Sequence, residues 1–411
     1  MRLAEIFMLT LGEDADIEVH AFDGSRAGPR DAPVRIEIRS PLAVSYLASA
    51  PGELGLSRAY ISGYLDIAGD LYVALSAMQR LAFEDLPPTL RARMAARLAA
   101  TRIMWPVQRP ALEARLRGPR HSMARDQAAI AHHYDVSNRF YEWILGPSMA
   151  YTCAVYPTGE VSLEEAQFAK HDLVAGKLGL REGMRLLDVG CGWGGMVLHA
   201  AKEYGVRALG VTLSRKQAEW AQKAIAHEGL GDLAEVRHLD YRAVPETGFD
   251  AVSSIGLTEH VGRSQLAHYF EFLNSKLRPG GRLLNHCITR PDNSRPAKVG
   301  GFINRYIFPD GELLGPGFII SAMHDHGFEV RHEENLREHY ALTLKAWCAN
   351  LEAHWDEAVR EVGMQRARTW RLYLYASWLG FERNNVQLHQ VLGVRLDDAR
   401  SGMPLRPDWT G

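Results

Sequence analysis

"LLDVGCGWGG", Leu186 to Gly195, sets four glycines close behind a short apolar run. An apolar run that stops at glycines reads as a buried strand turning sharply into a helix. Gly190, Gly192 and Gly195 satisfy the GxGxxG pattern of dinucleotide sites. The pattern is weak by itself, because glycines at such a turn serve any ligand that must approach the main chain. A nicotinamide site also needs a carboxylate at the end of the second strand to hold a ribose. Here that strand, "VRALGVTL", ends at Thr212 and Leu213 with no acid.

Asp188 lies two residues before Gly190, the DxGxG arrangement of methyltransferases, so the expected ligand is S-adenosylmethionine (SAM). Further along, the strand-like stretches are "AEVRHLD", "FDAVSSIG", "GRLLNHCI", "FEVRHEEN" and "VQLHQVLGV", with amphipathic stretches such as "SRKQAEWAQKAIAHEG" between several of them. Alternation of this kind predicts a doubly wound α/β fold. The fold class expected is a Rossmann-like class I SAM-dependent methyltransferase with a mostly parallel seven-stranded sheet. A small N-terminal α+β domain precedes it, because "VRIEIRS" (Val34 to Ser40) alternates as a half-buried strand. The partition expected is 1–88 for that domain, 89–125 for a basic helix or linker, and 126–411 for the catalytic domain.

At 411 residues the chain exceeds one ordinary core. A net charge of −2 argues neither for nor against an anionic partner, and nothing points to nucleic acid. Four scattered cysteines without a CxxC pair predict no disulfide framework and no zinc site, and they fit a reducing cytoplasm. No window offers the ~18 uncharged apolar residues a bilayer span needs, so membrane contact is expected from the surface only. Residues 90–125 hold nine arginines against one acid, Glu113. They read either as a linker helix with a solvated basic face or as a dock for anionic lipid headgroups.

"HHYDVSNRFYEWILGPSMAYTCAVY", "LLDVGCGWGG", "GVTLSRKQ", "GLTEHVG", "NRYIFPDGEL" and "HYALTLKAW" together resemble the cyclopropane-fatty-acyl-phospholipid synthase family, which includes the mycolic-acid methyltransferases. The resemblance runs from His132 to Val394. "SSIGLTEHVG" with "LNHCITRPDN" is most similar to an actinobacterial branch that forms 10-methylene (tuberculostearate-type) acids. The resemblance implies that Tyr151 and Thr152 touch the cofactor and that the loop with Asp188, Gly190, Cys191, Gly192, Trp193 and Gly194 surrounds its methionine part. It implies Thr212 and Gln217 at the ribose, and Tyr241 with Arg242 at the adenine. Asp240, at a strand end, is a further candidate adenine partner. Ordinary strand-end packing for Tyr241 and a turn carboxylate for Asp188 are the bland alternatives.

Methyl transfer to an isolated alkene leaves a carbocation, and a base must then take a proton. Loss from the new methyl group closes a cyclopropane, loss elsewhere gives a methylene branch, and water must be kept out. The resemblance implies bicarbonate as that base, held by Cys153, Glu259, His286, Ile288 and Tyr340. The set suits an oxyanion: Tyr340 and His286 can donate, and Glu259 can accept the bicarbonate hydroxyl. Many family members have a cysteine where this chain has Ser377 in "YLYASWLGF", so no thiol chemistry is expected there. The crowd of aromatic residues in the C-terminal half reads mainly as core, with a subset free to line an acyl tunnel.

The expected partners are an unsaturated membrane phospholipid, an anionic membrane surface, a second copy of the chain, and a separate reductase if the product is a methylene branch. The expected location is cytoplasmic and peripheral to the membrane. Two other functions stay open: a methyltransferase for a soluble small molecule, and a non-catalytic cofactor- or lipid-binding scaffold.

Overall fold

The computed structural model describes residues 2–11, 15–78, 88–89, 96, 107–114, 116, 118–120, 122, 125–126, 129–130 and 136–409. Arg91, Arg93, Arg97 and Arg102, which carry the basic-segment reading, lie outside the described residues. The chain divides into two compact units.

The first unit gathers Met1–Glu113, Gly300–Tyr306 and Trp355–Leu379. Its sheet has the order β2-β1-β3-β4, from β1 (Ile17–Ala21), β2 (Arg26–Ala27), β3 (Val34–Ile38) and β4 (Leu65–Ala68). Strand β3 buries Val34, Ile36 and Ile38, the alternation read from the sequence. Helices α1 (Leu3–Leu11), α2 (Pro41–Ser49), α3 (Glu53–Ile61) and α4 (Leu71–Met78) complete the α+β arrangement. Glu113, the lone acid of the arginine-rich segment, is buried here. Its carboxylate accepts from Arg58 Nε at 2.6 Å and Nη2 at 3.1 Å, and from the Tyr306 hydroxyl at 3.3 Å. Arg368 donates to the carbonyls of Tyr60 (2.7 Å) and Leu65 (3.0 Å) and to Asp66 (2.7 Å), which ties the helix Met364–Glu382 to β4.

The second unit takes Ala114–Val299, Ile307–His354 and Gly380–Gly411. Its seven strands are β5 (Arg185–Val189), β6 (Arg207–Thr212), β7 (Ala234–His238), β8 (Phe249–Ile255), β9 (Leu277–Thr289), β10 (Glu329–Asn335) and β11 (Gln387–Val394), in the order β10-β11-β9-β8-β5-β6-β7. All seven coincide with the stretches read as strands. Strands β5 to β9 pair in parallel, whereas β11 runs antiparallel between β9 and β10. That inserted last strand separates the sheet from an all-parallel dinucleotide fold.

Helices cover both faces of this sheet, as parallel strands require. On one side α6 (Leu163–Leu178), α7 (Gly195–Tyr204) and α8 (Arg215–His227) close a core with Leu186, Ala208, Ala251, Leu284 and Leu392. On the other, α10 (Leu266–Lys276) and α11 (Pro316–Asp325) cover Leu187, Val189, Val211, Val252 and Leu283. Alternate residues of one strand thus feed opposite cores. Helix α5 (Asn138–Leu145) precedes this layer, the single turn α9 (Thr258–Val261) follows β8, and α12 (Arg337–Ala353) follows β10. Helix α6 starts at a capping box: the Ser162 hydroxyl accepts from Glu165 N, and the Glu165 carboxylate accepts from Ser162 N.

Candidate active site

The glycine loop opens a cleft at the carboxyl ends of β5, β6 and β8, where open α/β sheets place ligands. The amides of Gly190 and Cys191 both donate to the Val211 carbonyl, at 2.9 and 3.0 Å, which pins the loop between β5 and β6. Gly192 has φ +55°, and a side chain there would point into open cleft, with Gln217 Nε2 at 3.9 Å as its nearest neighbour. A backbone laid bare in this way is a cradle for a ligand. Gly194 does something else: it caps α7 in the left-handed conformation, and a Cβ would meet Ala221 at 3.1 Å.

Tyr151, Thr152, Asp188, Gly190, Cys191, Gly192 and Trp193 line the cleft, as do Thr212, Gln217, Tyr241 and Arg242. The Thr212 hydroxyl donates to Gln217 Oε1 at 2.8 Å, which turns the Gln217 amide nitrogen toward the loop. Asp240 is not part of the lining. Its carboxylate accepts from the Arg242 amide (2.9 Å), Nε (2.9 Å) and Nη2 (2.6 Å), which makes it a brace for Arg242 and the turn beside β7. Trp193 is buried, donates to Asn138 at 3.0 Å and lies against Tyr141, with ring centroids 4.6 Å apart.

Sequence reasoning missed the polar floor of the cleft. Lys170 and His171 of α6 are buried and line it. Lys170 Nζ donates to the Thr152 hydroxyl at 3.1 Å and meets His171 Nε2 at 2.8 Å. Asp188 accepts from the Ser253 hydroxyl at 2.6 Å. Burial pushes Lys170 down to about 7 and Asp188 up to about 6, each opposed by the charge of the other. The signal in the sequence was phase: Gln167, Lys170 and His171 fall on the same stripe of α6 as Leu163, Ala166, Val174 and Leu178.

Of the second predicted set, Glu259 follows β8 and His286 and Ile288 lie near the end of β9, while Cys153 comes from the segment before α6 and Tyr340 from α12. Glu259, in α9, accepts from the Ile288 amide at 2.6 Å, so the Ile288 N–H expected to face an anion is taken by this carboxylate. The other oxygen, Glu259 Oε2, is buried with no hydrogen-bond partner among the described residues, and so is His286 Nε2. Burial raises the Glu259 carboxyl to about 7 and drives His286 well below its ordinary value. Cys153 is buried, its thiol pushed upward, and its Sγ donates to the carbonyls of Ala154 (3.1 Å) and Leu336 (3.7 Å). The Leu336 carbonyl also accepts from the Tyr340 amide at 3.1 Å, which joins Cys153 to the first turn of α12. The Tyr340 ring lies against Phe381 at 4.4 Å and edge-on to Trp347 at 6.0 Å. Trp347 is fully buried and lies 5.3 Å from the Tyr151 ring. Glu259 Oε2, an acceptor, and His286 Nε2, a ring nitrogen, are each left with hydrogen-bonding capacity that no described residue uses.

A glycine cradle at the carboxyl edge of a parallel sheet, with an antiparallel strand inserted near the far edge, defines a class I SAM-dependent methyltransferase. The profile of the mycolic acid cyclopropane synthetase family matches residues 121–391, and the chain belongs to that family. It is 53% identical to a probable fatty acid methyltransferase of Mycobacterium tuberculosis, over 100% of this chain and 98% of that protein. A probable fatty acid methyltransferase of Pseudomonas putida is 35% identical over 92% of each chain. Among solved structures, the mycolic acid cyclopropane synthase CmaA1 complexed with SAH and CTAB superposes with a TM-score of 0.62 at 32% identity. That match covers 65% of this chain and 98% of the other.

Proposed function

We propose that the protein transfers a methyl group to the double bond of an unsaturated acyl chain carried by a membrane phospholipid. Relatives named as fatty acid methyltransferases, one of them similar over the whole chain, support the acyl substrate. Bound in the cleft, SAM supplies an electrophilic methyl group. The bare backbone at Gly192 admits its methionine part, Gln217 and Thr212 present polar groups for its ribose, and Tyr241 with Arg242 flanks its adenine. Tyr151, Tyr340 and Trp347 form an aromatic wall that excludes water from a cation.

The observation that carries the reading is the pair of buried atoms without partners, Glu259 Oε2 and His286 Nε2. Bicarbonate held between them would supply the base. Ile288 N–H locks one oxygen of Glu259 and leaves the other to accept the hydroxyl of that anion. Under the same reading the arginine-rich segment docks on anionic headgroups, the enzyme works as a homodimer, and a methylene product passes to a separate reductase.

The test is incubation with SAM and vesicles of oleoyl phospholipid, followed by analysis of the fatty esters. An acyl chain heavier by one carbon is expected: a cyclopropane lacks olefinic protons, and a methylene branch keeps them. Stripping carbon dioxide should suppress turnover, and added bicarbonate should restore it. Turnover with soluble acceptors alone would replace this reading with the small-molecule one.

A further inference from the structure

A row of polar side chains runs sideways across the sheet to His286. Gln390 on β11 is the cross-strand partner of His286 on β9, and Glu334 on β10 is the cross-strand partner of Gln390. Residues directly opposite one another share a face of the sheet. Helix α6 covers that face and delivers Lys177, whose side chain is wholly buried. Lys177 Nζ donates to Gln390 Oε1 at 2.7 Å and also to the Glu334 carboxylate. Gln390 Nε2 lies 3.2 Å from His286 Nδ1.

Each link fixes the next. An ammonium only donates, so the oxygen of the Gln390 amide must face Lys177 and the NH2 must face the imidazole. An NH2 also only donates, so Nδ1 must offer a lone pair. A neutral imidazole with a lone pair on Nδ1 carries its proton on Nε2, the ring nitrogen that is buried without a partner. The charged imidazolium is opposed by burial and by the nearby ammonium groups of Lys170 and Lys177. Glu334, partly exposed, matches the Lys177 charge at the outer end of the row.

We propose that Lys177 and Gln390 are positioning residues that hold His286 as the neutral Nε2–H tautomer, so that it enters the reaction as a hydrogen-bond donor to an acceptor oxygen and not as a base. The part played in the reaction rests on the proposed function, which places His286 at the reacting centre. The tautomer itself does not.

The two are separated by reading them independently. Nitrogen-labelled full-length enzyme is examined by heteronuclear correlation, with the His286 signals assigned by their loss in His286→Gln. A pyridine-type Nδ1 and a pyrrole-type Nε2, unchanged between about pH 5 and 8, are expected. Gln390→Glu presents an acceptor to Nδ1 and should move the proton there or charge the ring. Lys177→Met frees the amide to turn over and should give a mixture of tautomers. With SAM affinity unchanged, kcat in Gln390→Glu should fall about 10²-fold, the scale of a misdirected reacting group. A wild-type ring protonated on Nδ1, or titrating near the ordinary histidine value, overturns the proposal whether or not either variant folds. The expected tautomer with undiminished kcat in a folded Gln390→Glu leaves the lock standing and overturns its role in the reaction.

Discussion

At Gly192 a single missing side chain keeps the cleft open, and the consequence can be measured. Gly192→Val adds branched bulk at φ +55°, in space bordered by Gln217. SAM binding by calorimetry should be lost while the circular dichroism spectrum stays native. Glu259 tests the other half of the site. Burial raises its carboxyl to about 7, while the Ile288 amide pulls the other way. If the ionised form is the one that orients the anion, activity is low below that value and rises through about pH 7, provided the SAM site is saturated. Glu259→Gln should remove the acidic limb and cost about 10²–10⁴-fold in kcat, with little change in SAM affinity. Full activity in that variant would leave the bicarbonate reading without support. Gly192 and Asp188 stand out in the sequence by type and spacing, because each answers a local demand of backbone or charge, whereas Thr212 enters through the family resemblance. The bond of Asp240 to Arg242, two residues on, was not legible, because an acid at a strand end does not announce which cation it holds.

Whole elements were the most legible part of the chain. The inner strands β5, β6 and β8 are buried along almost their whole length, as parallel strands covered on both faces require, whereas the edge strands β7 and β10 carry exposed charged residues. Strand β9 was read as starting at Gly281 but begins at Leu277, because Pro279 and Gly280 look like a turn while the ladder tolerates a register shift there. Helix α6 shows the limit of periodicity. Its buried stripe includes Gln167, Lys170 and His171, and a lysine is taken for solvated unless its phase is checked. Lys170→Met should therefore be tolerated sterically yet weaken SAM binding, since it removes the donor to Thr152 and leaves Asp188 without its nearby positive charge. Titration of the variant with SAM checks this, and unchanged affinity would return Lys170 to a purely structural role. For the arginine-rich segment, Arg91, Arg93, Arg97 and Arg102 to Gln should weaken sedimentation with anionic vesicles and reduce its dependence on salt. Unaltered sedimentation would make the segment a linker.

On the scale of the molecule, the first unit was only partly legible. Its strand β3 could be read, whereas the returns of the chain at 300–306 and 355–379 depend on contacts between residues hundreds of positions apart. Glu113 illustrates this. Among nine arginines it reads as a stray acid, yet it is buried against Arg58 and Tyr306. Glu113→Ala would leave a buried guanidinium without its partner, a loss of about 3–5 kcal/mol. Chemical denaturation should detect it as an earlier transition, and a midpoint within error of wild type would refute the burial argument.

The helix Met364–Glu382 gives the molecule an order of assembly. Three groups at and just before β4, the carbonyls of Tyr60 and Leu65 and the Asp66 carboxylate, each accept a hydrogen bond from Arg368. A ribosome must therefore have made some 90% of the chain before the earliest part of the protein can finish folding. The first unit is complete in sequence only at Leu379 and the second only after β11, so both mature late in synthesis and the N-terminal one does not mature early. Until residues 355–379 are made, the nascent N-terminal region waits without part of its own unit, and a chain cut before Trp355 would leave that region unfinished.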